Sequence, residues 1–171
     1  MRRVVLGLGS NLGDRQRHLE GAVEAFNQSP AFADLKRSHV RETAPQGGPP
    51  QPPYLNAAIV VRTALDARSI LEFALRIERQ LGRVRPDAVR WGPRIIDIDL
   101  LWIENEIVSE PGLEVPHPRL RERAFALEPL LDVAPDAFGP AARERGLITT
   151  CRAVMLKKLL EEWPSGRRQR F

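Results

Sequence analysis

Hydrophobic and polar residues alternate along the chain in a pattern that predicts two similar strand-and-helix segments. Residues 3–8 have the apolar pattern of a short strand, and a helix with one apolar face is predicted to begin after Asp14. Residues 54–63 have the composition of a second strand, and Asp66 is expected to cap a second amphipathic helix that ends near Gly82. The chain therefore begins as strand, helix, strand, helix.

Two further strands and a third helix are predicted between long loops. The strands are residues 35–43 and 95–103, and the helix covers residues 122–132. Residues 45–53 contain five prolines and must form an exposed loop, and residues 83–93 are also irregular. This order of elements predicts an α+β fold, a ferredoxin-like sandwich in which helices cover one side of a mainly antiparallel sheet with long active-site loops.

Length and charge divide the chain into two parts. Its 171 residues suffice for one compact domain, predicted for residues 1–140, and residues 141–171 are predicted to be an extension. That extension has a predicted helix near residues 154–163 and a disordered basic end. The chain has 26 basic and 22 acidic side chains, a net charge of +4, and residues 152–171 carry six basic and two acidic ones. The remainder is therefore neutral.

Several protein classes do not fit the sequence. No apolar run approaches the ~20 residues of a membrane helix, and the apolar stretch after Arg3 is too short for a signal peptide. The lone Cys151 cannot form an internal disulfide, and the three histidines make no cluster with zinc spacing. We therefore expect a cytoplasmic protein that does not act at a membrane.

Asp97 and Asp99 give the first indication of chemistry. Side chains on a strand alternate between faces, so both carboxylates project from one face, about 6.6–7 Å apart, while Ile98 is buried on the other. Two such carboxylates are costly unless they are paired. Either they form salt bridges with nearby arginines, or they bind Mg²⁺, which prefers oxygen ligands and commonly takes one or two carboxylates with substrate phosphates.

A cluster of arginines precedes these aspartates. Residues 79–94 contain five arginines against the single acidic Asp87, and residues 90–94 read Arg-Trp-Gly-Pro-Arg. Arginine forks bind phosphate in a bidentate manner, and fixed cations together with Mg²⁺ suit a triphosphate. An RNA-binding module would also explain the basic excess, but the chain has only 6% aromatic residues and no aromatic-rich strand of the RNA-binding type.

Four collinear motifs carry a resemblance to a known family. Residues 90–101 resemble the signature of the 6-hydroxymethyl-7,8-dihydropterin pyrophosphokinases, and residues 9–14, 53–58 and 115–130 match its other blocks in order. The likeness covers about residues 4–136. It implies an Mg-dependent enzyme that transfers pyrophosphate from ATP to the hydroxymethyl group of the pterin in folate biosynthesis, giving AMP. It implies no nucleic-acid partner and a monomer.

The resemblance also implies residue roles. Catalytic roles fall on Asp97, Asp99, Arg83 and Arg94, and the two aspartates would hold two Mg²⁺ ions bound with ATP. Contacts with ATP are implied for Arg83, Arg85, Arg90, Trp91, Arg94, His117 and Arg123. Contacts with the pterin are implied for Thr43, Pro45, Gly47, Tyr54, Asn56, Trp91 and Phe125. By themselves, Tyr54 and Phe125 would be assigned to the core, Asn56 to a structural hydrogen bond and His117 to a turn.

The chain departs from the family pattern at three loop positions. Arg41 replaces an aromatic residue, Gln46 an apolar residue of the pterin pocket, and Pro86 a basic residue of the second loop. A non-catalytic relative that binds pterin or nucleotide is therefore an alternative. No residue is an obvious general base. The irregular segments 44–53 and 83–93 are expected to close over both substrates and exclude water.

Overall fold

A computed structural model describes residues 1–84 and 91–137 of the chain. Its elements, in chain order, are β1 (Arg2–Ser10), α1 (Arg15–Asn27), β2 (Ala33–Arg37), β3 (Arg41–Thr43), β4 (Tyr54–Thr63), α2 (Ala67–Gln80), β5 (Asp97–Ile103), β6 (Val108–Glu110), β7 (Leu113–Val115) and α3 (Ala124–Val133). A short 3₁₀ turn, Leu120–Glu122, precedes α3. None of the described helices is long and apolar enough to cross a membrane.

The main sheet is antiparallel throughout, which confirms the predicted α+β class. Its order is β2-β4-β1-β5, and β3 also pairs with β4. In the centre, Gly9 of β1 lies between Asn56 of β4 and Asp97 of β5, and Gly7 lies between Ala58 and Asp99. Since directly opposed residues share a face, these positions form one continuous surface of the sheet.

Helices cover both faces of the sheet, so the expectation that they cover one side is wrong. Helices α1 and α2 bury Phe26 and Ile70 against the face that contains Leu6, within one hydrophobic cluster. Helix α3 packs against β4 and β1 and buries Leu127 and Leu130. The reason is that these two strands are apolar on both faces, so a second layer is needed to remove the other face from water.

The predicted helix caps are present. The Asp14 carboxylate accepts a hydrogen bond from the Arg17 amide at 3.1 Å, and the Asp66 carboxylate accepts one from the Ser69 amide at 2.7 Å. Gly82 follows α2 with φ +97°, a conformation that glycine adopts without strain. The starts of α1 and α2 and the end of α2 are therefore readable from single residues.

Other boundaries differ from the prediction. The strand expected over residues 35–43 is split into β2 and β3, because the Ser38 hydroxyl accepts a hydrogen bond from the Ala58 amide in place of a backbone group. The hairpin of β6 and β7 was missed, since three-residue strands are too short to show alternation. The predicted domain end at residue 140 and helix at 154–163 lie outside the described residues.

Candidate active site

A cavity of about 300 Å³ lies over the surface formed by Gly7, Gly9, Asp97 and Asp99, and it is called the main cavity below. Ten residues predicted from the sequence line it: Thr43, Gly47, Tyr54, Asn56, Trp91, Arg94, Asp97, Asp99, Arg123 and Phe125. Pro45 is not among the lining residues, although its neighbours Ala44 and Gln46 are. The structure thus brings most of the predicted site together.

Two glycines keep the base of the main cavity open. A Cβ atom on Gly9 would lie 3.3 Å from Asn56 Oδ1 and 3.7 Å from a ring carbon of Tyr54, and one on Gly7 would lie 3.1 Å from Leu101. A side chain at either position would therefore fill space against the cavity wall. The sequence did carry a signal for them, because glycines two apart on a strand leave one face bare.

Polar and aromatic groups converge above this base. Asn56 is 5% exposed, and its amide nitrogen donates a hydrogen bond to Thr43 Oγ1 at 2.8 Å. Tyr54 and Phe125 reach the same cavity from β4 and α3. The Arg123 guanidinium lies 5.7 Å from the centre of the Phe125 ring, within the range of a cation–π contact. An apolar space with a few fixed polar groups suits a flat heteroaromatic ligand.

Asp97 is held between two arginines. One carboxylate oxygen accepts a hydrogen bond from Arg83, and the other lies 3.0 Å from Arg94 Nη1. Arg83 is 5% exposed and does not line the main cavity. It therefore lies behind Asp97, where the structure shows it bound to a carboxylate, while Arg94 and Arg123 face the space where a phosphate would lie.

Asp99 has a weaker cationic partner. Its carboxylate lies 3.6 Å from Arg123 Nη1, and 37% of its side chain remains accessible to solvent. Burial by the surrounding protein, and secondly the negative charge of Asp97, raise the pKa of Asp99 to about 7. A bound cation would stabilise the charged form of this carboxylate.

These two carboxylates fit magnesium better than a metal held by protein alone. Within residues 1–84 and 91–137, no group of three or more His, Cys, Asp or Glu side chains is placed to hold a metal ion. Asp97 and Asp99 supply oxygen ligands from one strand face, beside arginines that can hold phosphates. Magnesium typically takes one or two carboxylates and completes its shell with water and substrate phosphates, so this donor set suits it.

His117 belongs to a second cavity of about 270 Å³, called the side cavity below. It is lined by Leu71, Leu113 and Asp99 among others, so Asp99 borders both cavities. The Arg119 amide donates a hydrogen bond to His117 Nδ1 at 3.2 Å. Burial, and then the charges of Arg123 and Arg119, lower the pKa of His117. The neutral ring therefore presents its Nε2 proton as a donor.

Gln51 and Asn11 were missed as site residues. The Gln51 amide nitrogen donates to the Trp91 carbonyl at 2.9 Å, and its oxygen accepts from Asn11 Nδ2 at 2.9 Å. Asn11 Oδ1 in turn accepts from the Arg94 amide at 2.7 Å. These bonds join the proline-rich loop to the segment that precedes Asp97. Trp91 itself is 52% exposed, and the predicted ATP contacts Arg85 and Arg90 lie outside the described residues.

Comparison with known proteins shows similarity to one enzyme family. The 7,8-dihydro-6-hydroxymethylpterin-pyrophosphokinase (HPPK) family profile matches residues 5–135. A 2-amino-4-hydroxy-6-hydroxymethyldihydropteridine pyrophosphokinase of Methylorubrum extorquens is 48% identical over 146 residues, 84% of this chain and 91% of that protein. The Bacillus subtilis protein of the same name is 42% identical over 128 residues, 75% of each chain.

Solved structures give the same fold at low identity. A crystal structure of an HPPK-DHPS in complex with substrates has a TM-score of 0.69 at 13% identity, covering 94% of this chain and 45% of that one. An HPPK-DHPS of Plasmodium falciparum with pterin and p-hydrobenzoate has a TM-score of 0.65 at 15% identity, covering 96% and 46%. The chain thus spans less than half the length of these solved chains.

Proposed function

The chain belongs to the 7,8-dihydro-6-hydroxymethylpterin-pyrophosphokinase family, and on that premise we propose that it transfers pyrophosphate from ATP to the hydroxymethyl group of 6-hydroxymethyl-7,8-dihydropterin. The products are AMP and the pterin pyrophosphate, an intermediate of folate biosynthesis. The observation that carries the proposal is the position of Asp99, which lines both the main cavity and the side cavity. Two substrates can therefore meet at this residue.

The main cavity is the proposed pterin site. Tyr54 and Phe125 offer aromatic surfaces to a flat ring, and stacking adds about 0.5–1.5 kcal/mol per pair beyond burial. Asn56 is fixed by Thr43 and offers both a donor and an acceptor, which matches the alternating edge of a pterin. Gly7 and Gly9 leave room for the ring beneath these groups.

The side cavity is the proposed site of the adenosine end of ATP. Its walls contain Leu71 and Leu113, which can pack against a base, and His117, which can donate from Nε2 to a phosphate oxygen. Arg94 and Arg123 line the main cavity beside Asp97 and Asp99 and supply cations for the triphosphate. Roles for Arg85 and Arg90 in the same binding remain predictions.

The reaction follows from this placement. The pterin hydroxymethyl oxygen forms a bond to the β-phosphorus of ATP, and the bond from that phosphorus to the oxygen shared with the α-phosphate breaks. AMP leaves with the electron pair, and the hydroxyl proton passes to solvent. Arg94 and Arg123 stabilise the charge that develops on the phosphoryl oxygens, since fixed cations need no reorganisation during the reaction.

Magnesium would be held by Asp97 and Asp99 and would supply positive charge that neutralises the phosphates of ATP. The protein itself must keep water from competing with the pterin hydroxyl. The hydrogen bonds of Gln51 join the proline-rich loop to Trp91. They support the proposal that the two loops move together and cover the bound substrates. A cytoplasmic location and a monomeric state stay predictions from the sequence.

The aspartate variants test the proposal. We expect Asp97→Asn and Asp99→Asn each to lower AMP formation by more than about 100-fold, because each removes several kcal/mol of phosphate charge stabilisation. The matched control is Asp34→Asn on β2, an exposed aspartate at φ +53° where asparagine is equally well tolerated. Turnover is measured as AMP released, and folding by circular dichroism. Full turnover in both folded site variants would refute the proposal.

A further inference from the structure

Glu78 is a fully buried acidic residue that no part of the proposed reaction uses. It lies in the last turn of α2 and is 1% exposed. A buried carboxylate is strongly unfavourable unless charged or hydrogen-bonding groups compensate for lost water. Its burial at this position therefore needs compensating contacts.

One contact is with the strand that bears the two aspartates. Glu78 Oε1 accepts a hydrogen bond from the Ile98 amide at 2.8 Å, and Ile98 lies between Asp97 and Asp99. In the described sheet, β5 is an edge strand whose only strand partner is β1. The Glu78 oxygen thus accepts the hydrogen bond that a neighbouring strand would otherwise accept from this amide. It thereby holds the strand segment with both aspartates in a fixed position relative to α2.

The second contact is with Arg83. The same Glu78 oxygen accepts from Arg83 Nη1 at 2.8 Å, and this nitrogen also contacts the Ile96 carbonyl at 3.0 Å and the Asp97 carboxylate. Two carboxylates therefore share one buried guanidinium. Because Glu78 takes part of the charge of Arg83, Asp97 is less completely neutralised and keeps attraction for a further cation.

We propose that Glu78 is a positioning residue for the metal-binding pair. It sets the geometry of Asp97 and Asp99 through the Ile98 amide and their charge through Arg83, although it lines neither cavity. This inference rests on the proposed function, since it assigns Glu78 a part in binding magnesium with ATP. Glu78 therefore affects the binding of the cation and of the transferred phosphates, and the pterin site stays unchanged.

Two variants separate the effect of the Glu78 charge from the effect of its side-chain length. Glu78→Gln keeps the size and an acceptor oxygen but removes the charge, and Glu78→Asp keeps the charge but draws it back by one methylene. The matched control is Glu72→Gln, which removes an exposed carboxylate from the same helix. The direct measurement is calorimetric binding of α,β-methylene-ATP, whose bridge cannot be cleaved, as a function of Mg²⁺ concentration.

We expect both Glu78 variants to raise the half-saturating Mg²⁺ concentration about tenfold or more, as loss of groups that orient metal ligands commonly does. In turnover, kcat falls and the KM for the pterin stays within about twofold of the wild-type value. Glu72→Gln behaves as wild type. This split between metal-dependent steps and pterin binding is not expected of a general loss of stability.

Folded Glu78 variants with wild-type Mg²⁺ dependence would overturn the inference. So would variants that lose pterin and Mg²⁺ affinity in parallel with a lowered melting temperature, because Glu78 would then be structural only. If Glu78→Gln does not fold, Glu78→Asp carries the same test alone. A wild-type protein that binds the Mg²⁺ analogue complex but makes no AMP would defeat the proposed function while leaving the binding test of Glu78 intact.

Discussion

Asp97 and Asp99 lie two residues apart on one strand face, yet their surroundings differ. Both oxygens of Asp97 have arginine partners, whereas the Arg123 nitrogen lies 3.6 Å from Asp99 and the pKa of Asp99 is raised to about 7. Burial and the neighbouring negative charge both disfavour the ionised form of Asp99. Of the two carboxylates, Asp99 therefore has more to gain from a bound cation.

Gly9 gives a test of the pterin site at a single residue. We expect Gly9→Ala to weaken pterin binding about tenfold, equal to about 1.4 kcal/mol, because its methyl group would lie 3.3 Å from Asn56 Oδ1 in the ring space. Binding is measured by titration with the pterin alcohol. Affinity for α,β-methylene-ATP with Mg²⁺ serves as the internal control and stays unchanged. Equal loss of both affinities, or no loss of either, would remove the main cavity as the pterin site.

Some of these residues were predictable and others were not. Strand alternation alone placed Asp97 and Asp99 on one face, and the resemblance supplied Tyr54, Asn56 and Phe125. The position of Arg83 behind Asp97 depends on Glu78, which reaches β5 only because α2 packs there. The role of Gln51 likewise depends on which loops come together in space. Neither relation leaves a periodic pattern in the sequence.

Among the elements, β3 and α3 are joined by an ion-pair cluster at Arg41. Its guanidinium forms two hydrogen bonds with the Asp132 carboxylate, at 2.7 and 3.0 Å, and lies 3.4 Å from Glu128. Arg41 was noted in the sequence for replacing an aromatic residue, and the structure gives its alternative function. The pair holds the strand that carries Thr43 against the helix that carries Phe125.

This pair predicts a dependence of stability on acid pH. The Arg41 hydrogen bonds lower the pKa of Asp132 below its ordinary value, so the folded state favours the charged carboxylate. The pair therefore contributes above the unfolded pKa of about 3.9, and its contribution is lost as pH falls through the lower folded value. We expect Arg41→Ala to lower the free energy of unfolding by about 0.5–1 kcal/mol at pH 7.

Urea unfolding at pH 7 and below pH 4 measures this effect. The difference between wild type and Arg41→Ala shrinks on acidification, while the control Arg37→Ala, at an exposed position of β2, changes little at either pH. A difference that is as large below pH 4 as at pH 7 would contradict the ion-pair account. In that case Arg41 would stabilise β3 through packing of its aliphatic part.

The elements were predictable where a single residue determines their ends. Asp14 and Asp66 cap α1 and α2 as expected, since capping is a local property. The position of α3 on the opposite face was not predictable from helix periodicity. Strands β1 and β4 are apolar on both faces, and helices on one side alone would leave the other apolar face exposed to water.

For the whole molecule, the charge distribution separates the site from the basic end of the chain. The excess of +4 lies in residues 152–171, outside the described part, and residues 1–151 carry no net formal charge. What gives the site its cationic character is local, because Arg94 and Arg123 face the main cavity beside Asp97 and Asp99. The local arginines, and not the net basic excess, therefore point to a phosphate-rich ligand, and this distinction is visible in the sequence once the charges are counted by segment.

The most direct test of the account follows both transferred phosphates. The protein is incubated with Mg²⁺, 6-hydroxymethyl-7,8-dihydropterin and ATP labelled with ³²P at either the β or the γ position. Transfer of pyrophosphate as one unit predicts that the β label and the γ label each appear in the pterin product, and that unlabelled AMP forms in equal amount. Formation of ADP with only the γ label on the pterin, or no labelled pterin at all, would contradict it.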